Sequence, residues 1–261
     1  MNTEPIGFFD SGVGGTSVWK EVIALLPHEN TIYLADSKHA PYGRKSKEEI
    51  IQLCVKNTEF LLNQNCKLIV IPCNTATTNA IAYLRTHYDI NFIGIEPAIK
   101  PAALKSDTKK IGILATKGTL SSKLFNKTQK EFASYVNSIE VVGTGIVELI
   151  EAGKKDTEEM RDLLVRITEP FMISGIDYLV LGCSHYPYIK EQLQELLPNR
   201  VRIIDSGAAV ARQTLNVLKL QSLLNTSITA GKHLLYSNLQ TQTLSDLTSE
   251  VQNKKVKLID F

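Results

Sequence analysis

Along the chain, short apolar runs alternate with longer segments in which apolar residues recur every three or four positions. That is the pattern of strand followed by helix, repeated, which points to α/β architecture with parallel sheets. Ile6-Gly-Phe-Phe9 is the first strand. The turn Asp10-Ser-Gly-Val-Gly-Gly-Thr16 leads to a helix carrying Val18, Trp19, Val22 and Ile23, which stops at Pro27. Thr31 to Leu34 is a second strand, and Asp36 to Lys45 a polar loop containing Pro41-Tyr-Gly43. Ser46-Lys-Glu-Glu49 reads as a capping box that opens a helix with Ile50, Leu53, Leu61 and Leu62 facing inward. Leu68-Ile-Val-Ile71 is a continuous apolar run, suited to a strand covered on both faces. Pro72 ends its ladder, and Thr75 or Thr77 is placed to cap the next helix, which carries Ile81 and Leu84. Asn91 to Ile95 is a further strand leading into Glu96-Pro97.

The pattern then restarts. Lys110-Ile-Gly-Ile-Leu-Ala-Thr-Lys-Gly-Thr119 echoes the first strand and its glycine turn, and Ile139-Glu-Val-Val-Gly143 loosely echoes the second strand. Tyr178-Leu-Val-Leu-Gly-Cys-Ser-His-Tyr-Pro187 repeats the grammar of the Leu68 run: apolar strand, breaker, cysteine, small hydroxyl residue. From Ile6 to Ile111, Ile32 to Ile139, Cys73 to Cys183 and Glu96 to Asp205 the separations are 105, 107, 110 and 109 residues. Four landmarks in one order at nearly one offset indicate two homologous α/β halves. In the second half, helices begin near Ser121, with Leu124, Phe125 and Phe132, and at the aspartate capping box Asp156-Thr-Glu-Glu159, with Leu163, Leu164 and Ile167. A long helix follows Asp205 through Val210, Leu215, Val217 and Leu218. The tail elements at Leu234-Leu-Tyr236 and Val256 to Ile259 lack counterparts and are expected to return to the first half. The expected division is a discontinuous first domain of residues 1–97 plus 210–261 and a second of residues 98–209.

Strands of this kind put their chemistry at their carboxyl ends, where open α/β sheets bind ligands. Cys73 and Cys183 both sit there, beside helix N-termini that would lower a thiol pKa. Cys54 and Cys66 lie in helical and pre-strand contexts and read as buried, inert thiols. The cysteine spacing fits no metal site, so no metal is expected. The glycine turn lacks both a third glycine at dinucleotide spacing and a G-K-[ST] ending, although its helix start could hold a carboxylate. Asp10 either caps that turn or acts in the site. Hydrophobic residues make up 43% of the 261 and the net charge of +2 is dispersed, so nucleic acid is not a favoured partner. The polar start and the want of a long apolar run point away from export and membranes, toward a cytoplasmic protein.

Taken together, FDSGVGG, YLAD…PYG, KSKEEI, PCNTATT, GIEPA, GILAT.GT, IVELIEAG and LGCSHYP, in that order from Ile6 to about Tyr236, resemble the glutamate racemases of the cofactor-independent aspartate/glutamate racemase superfamily. The resemblance implies two pseudo-symmetric doubly wound domains with the active site between them. It implies an isomerase without a cofactor that interconverts L- and D-glutamate, supplying D-glutamate for peptidoglycan. By motif, its acid/base pair falls on Cys73 and Cys183, with Asp10, His185 and Glu151 assisting. Its substrate contacts fall on Asp10, Ser11, Tyr42, Gly43, Asn74, Thr75, Thr116, Ser184 and His185. Gly143-Thr-Gly145 stands where many relatives carry a Cys-Pro or similar pair, so Glu148 competes with Glu151 for the assisting role. A homodimer is compatible with all this but is not fixed by the sequence.

Racemisation needs two acid/base groups on opposite faces of the α-carbon, and an ordinary thiol pKa of about 8.5 suits proton exchange near neutrality. Asp10 would assist Cys73 if their strands are neighbours, and His185 would assist Cys183. An aspartate racemase is the nearest alternative. A cysteine hydrolase using Cys183 and His185 is another, against which stands the expectation that residues two apart seldom align a thiol with an oriented imidazole. A non-catalytic binding protein would have no use for the paired thiols.

Overall fold

A computed structural model describes residues 2–261. Its strands are β1 (Ile6–Asp10), β2 (Thr31–Ala35), β3 (Leu68–Ile71), β4 (Phe92–Gly94), β5 (Lys110–Ala115), β6 (Asn137–Val142), β7 (Tyr178–Gly182), β8 (Arg202–Ile204), β9 (His233–Ser237) and β10 (Lys254–Leu258). Its helices are α1 (Thr16–Leu25), α2 (Lys47–Asn63), α3 (Asn74–His87), α4 (Ile99–Lys105), α5 (Lys117–Leu120), α6 (Lys123–Phe132), α7 (Ile146–Glu151), α8 (Glu158–Ser174), α9 (Lys190–Leu196), α10 (Gly207–Leu220) and α11 (Gln242–Leu247).

The strands form two sheets, ordered β10-β9-β2-β1-β3-β4 and β6-β5-β7-β8, and every pairing is parallel. The four-strand order β2-β1-β3-β4 is repeated as β6-β5-β7-β8, as the offset pattern requires. The tail strands β9 and β10 extend the first sheet beyond β2. On that sheet α1 packs with α10 and α2 packs with α3, while α4 contacts β5 and β7 of the other sheet. A boundary at residue 210 would cut α10, which begins at Gly207 and is one continuous helix.

Central strands β1, β2, β3 and β7 are buried along their whole length, so continuous apolar runs suit them better than alternation. One apolar cluster joins the two sheets, running from Trp19 and Val210 on the first half to Leu164 and Leu193 on the second.

Several local expectations change. The capping box at Ser46 forms with both of its bonds, but α2 buries Ile50, Cys54, Asn57, Thr58 and Leu61, while Leu53 and Leu62 are only half-buried. The second capping box does not form: Thr157, not Asp156, caps α8 by accepting from the Met160 amide. The loop from Asp36 to Lys45 holds two 3-10 turns, and Asp36 and Tyr42 are buried in it. Their side chains satisfy each other, Tyr42 donating to Asp36, which composition alone does not reveal.

At the opposite end of the first sheet, Lys67 and Glu29 form a buried ion pair at 2.6 Å, their side chains 1% and 2% exposed. Glu29 also accepts from the Asn225 amide, tying the tail to the start of β3. Lys67→Met strands a buried carboxylate, and we expect it to cost about 3–5 kcal/mol of folding stability in urea titrations.

Candidate active site

The site is built by strand ends. β1 lies between β2 and β3, so Asp10 and Cys73 leave the first sheet side by side. In the second sheet β5 pairs with β7, Ala115 opposite Gly182, so Thr116 and Cys183 leave it side by side. One cavity receives both ends. It is lined by Ser11, Pro41, Tyr42, Gly43, Cys73, Asn74, Thr75, Thr116, Val147, Cys183, Ser184 and His185. Ten of these are sequence-predicted residues; Asp10 and Glu151 are the two that do not line it. Pro41 and Val147 were missed: they are apolar wall residues, and periodicity carries no signal for a wall.

Cys73 itself caps α3, its Sγ accepting from the Ala76 amide at 3.4 Å. The expected caps, Thr75 and Thr77, fall inside the first turn instead. Thr75 Oγ1 lies 2.8 Å from Thr116 Oγ1, joining the two halves across the cavity. Thr77 is turned away, donating to the Ile71 carbonyl and accepting from the Ile95 amide. Both polar atoms of the Asn74 side chain are buried without a partner in the chain. A buried amide left unpaired is costly, so Asn74 is placed to be satisfied by a ligand.

The helix start does not lower the Cys73 thiol as expected. Burial, and next the neighbouring Asp10 carboxyl, push its pKa well above the ordinary value, outweighing the Ala76 amide and the Ser11 contact. Burial likewise raises the Asp10 carboxyl, against the opposing pull of His185 and the Gly15 amide. Asp10 is fully buried behind the wall. It accepts from the Gly15 amide at 2.6 Å and from Ser184 Oγ at 3.3 Å. It therefore both caps the turn and reaches the site, but it does not face the cavity as a substrate contact would.

Cys183 has different company. Its Sγ is 3.8 Å from His185 Nδ1, and His185 Nε2 is 2.6 Å from Glu151 Oε1. Residues two apart do here align a thiol with an imidazole, because the chain bends into a 3-10 turn (Tyr186–Ile189) just after β7. Burial opposes a charge on His185, yet the hydrogen bonds with Cys183 and Glu151 prevail and raise its pKa well above the ordinary range. Glu148, the competing carboxylate, instead pairs with Arg44 at the rim.

The glycine turn explains how Glu151 and His185 fit. A Cβ on Gly12 would collide with the Glu151 carboxylate, and one on Gly14 with the His185 ring. The glycines therefore make room for side chains from the other half rather than cradling a phosphate.

The other two cysteines are buried thiols away from this cavity, and burial pushes Cys66 up to about 12. Among the described residues, no group of three or more His, Cys, Asp or Glu could hold a metal, and no helix is long and apolar enough to cross a membrane.

The chain matches the family described as Asp/Glu/Hydantoin racemase over residues 14–214. It is 48% identical to a glutamate racemase of Ectopseudomonas mendocina, over 85% of each chain. It is 44% identical to one of Herpetosiphon aurantiacus, over 88% of this chain and 91% of that one. A crystal structure of the Escherichia coli glutamate racemase in complex with L-glutamate and an activator superposes with a TM-score of 0.87 at 32% identity, covering 98% of both chains.

The raised His185 pKa has a consequence for stability. An unfolded histidine holds its proton only below about pH 6.5. Folded, His185 keeps it to higher pH. Its contribution is therefore fully present below about pH 6.5 and is lost as pH rises through the raised value. Urea melts should show stability falling between about pH 7 and 8, below the range of ordinary thiols, with His185→Gln removing most of that slope.

Proposed function

The chain belongs to the Asp/Glu/Hydantoin racemase family and racemises glutamate, and we propose that it does so by exchanging the α-proton between Cys73 and Cys183. The observation that carries this reading is that both thiols, one from each sheet, line one enclosed cavity at equivalent strand ends.

From L-glutamate, the Cys183 thiolate takes the α-proton while the Cys73 thiol gives its proton to the opposite face. From D-glutamate the two exchange roles. Each turnover moves one proton onto one sulfur and one off the other, so no cofactor is needed. Short donors surround the position where negative charge develops: Ser11, Asn74, Thr75, Thr116 and Ser184. Tyr42 and Gly43 complete the wall, with the Gly43 backbone packed against Thr116. Asp10 assists Cys73 as a proton relay, and His185, oriented by Glu151, assists Cys183.

The cavity measures about 10 Å³, room for about one water and not for an amino acid. Substrate entry therefore requires the half built on the first sheet, which carries α10, to move relative to the half built on the second, and closure afterwards excludes water. We place the enzyme in the cytoplasm, making D-glutamate for peptidoglycan. One chain supplies every lining residue, so a homodimer is compatible with the reading but not required by it.

The aligned Cys183–His185–Glu151 set favours a cysteine hydrolase as a second reading, though that leaves Cys73 idle. Covalent trapping of Cys183 by an ester would support it.

In D₂O with L-glutamate and no added cofactor, we expect optical rotation to decay as deuterium enters the α-position. Either Cys73→Ser or Cys183→Ser should abolish the decay. Absence of exchange in the wild type, with aspartate also inert, would overturn the reading. Gly12→Ala should displace Glu151 and lower kcat about 100-fold, as small displacements in active sites do. Steady-state rates checked against an unchanged far-UV spectrum would show it.

A further inference from the structure

The carboxylate that orients His185 is itself held from the other half of the molecule. Glu151 Oε2 accepts from Ser37 Oγ at 2.8 Å. Its Oε1 accepts from the Val13 amide at 2.7 Å while facing His185 Nε2. Val13 lies in the glycine turn after β1 and Ser37 in the 3-10 turn after β2, so both donors come from the first half. The backbone of Glu151 is held in the same way, its carbonyl accepting from Thr243 Oγ1 and Gln240 Nε2 of the tail. Ser37 is buried and stands outside the cavity.

We propose that Ser37 is a positioning residue: with the Val13 amide it seats Glu151 on His185, so that the acid/base group around Cys183 is complete only when the two halves are closed. This rests on the reading that Cys183 is one of the two exchanging thiols. Opening to admit substrate pulls Glu151 away from both donors and frees its carboxylate to turn from His185. Closure restores both bonds at the moment the cavity seals. The chemistry is thereby tied to water exclusion, since a half-open enzyme lacks the oriented imidazole.

The titratable and charged groups facing the Glu151–His185 pair are Asp10 at the end of β1, Tyr33 on β2 and Cys183 after β7. Substitution at Ser37 alters none of them. Ser37→Ala removes one donor from the carboxylate and leaves Glu151 less firmly seated on His185, so the imidazolium loses part of the interaction that raises its pKa.

Ser37→Ala and Ser37→Thr should be compared with the wild type. A lost hydrogen bond to a charged group predicts that Ser37→Ala lowers kcat about 10-fold with little change in KM. Ser37→Thr, which keeps the hydroxyl, should restore the rate to within about 2-fold. The alkaline limb of the kcat/KM profile should move to lower pH in Ser37→Ala alone, a shift that a merely structural defect would not produce. NMR titration of the His185 ring should show the same shift without turnover. Unchanged kcat with an unmoved His185 titration would overturn the proposal, as would a loss that threonine fails to rescue. A wild type that does not racemise glutamate would overturn the two-thiol reading instead, and the NMR comparison would still decide the role of Ser37.

Discussion

The Glu151 carboxylate, set into the notch left by Gly12, is the contact on which the rest of the site depends. It belongs to α7 on the second half, yet it accepts hydrogen bonds from Val13 and Ser37 on the first. The His185 ring fits the adjoining space left by Gly14. A charge so placed must be paired or solvated, because a carboxylate taken out of water without partners is expensive. The packing of the two halves supplies the partners, and the cluster thereby couples the geometry of the interface to the protonation of the site.

Around that contact the molecule is pseudo-symmetric in scaffold and asymmetric in chemistry. The order β2-β1-β3-β4 recurs as β6-β5-β7-β8 and delivers a cysteine from the third strand of each set. A reaction that adds and removes a proton on opposite faces of one carbon benefits from two such strand ends. The helpers, however, differ. Asp10 stands beside Cys73, while the equivalent place beside Cys183 is taken up by His185 and Glu151. Asp10 corresponds to Ala115 through the offset of 105, so the second strand end carries no carboxylate of its own. One thiol has an acid at its side and the other an imidazole, which under the proposed two-thiol exchange gives the two steps different partners.

The small cavity also explains why so many polar groups can be buried together. Ser11, Thr75, Thr116 and Ser184 are short, and each satisfies a neighbour or lies within reach of one. Asn74 alone keeps both polar atoms unpaired at the wall. Desolvation makes such groups strong partners for a substrate carboxylate or amine and penalises leaving them empty. The same desolvation lifts the Cys73 thiol and the Asp10 carboxyl toward their protonated forms.

Strand and helix order, the duplication and the two cysteines were determined by the sequence alone, because apolar periodicity and chain order are local and additive properties. The return of β9 and β10 to the first sheet could be argued from their lack of a counterpart. Most of the cavity wall was equally legible, since its residues cluster in short motifs at strand ends. The remainder depends on meetings between distant segments. Cys73 rather than Thr75 or Thr77 became the helix cap because the chain turns at the thiol itself. Glu151 rather than Glu148 met His185 because α7 points one face at the glycine turn and the other at Arg44. The raised thiol, the burial of Asp36 with Tyr42, and the grip of Ser37 on Glu151 all arise from desolvation and contact across halves, which no linear pattern encodes.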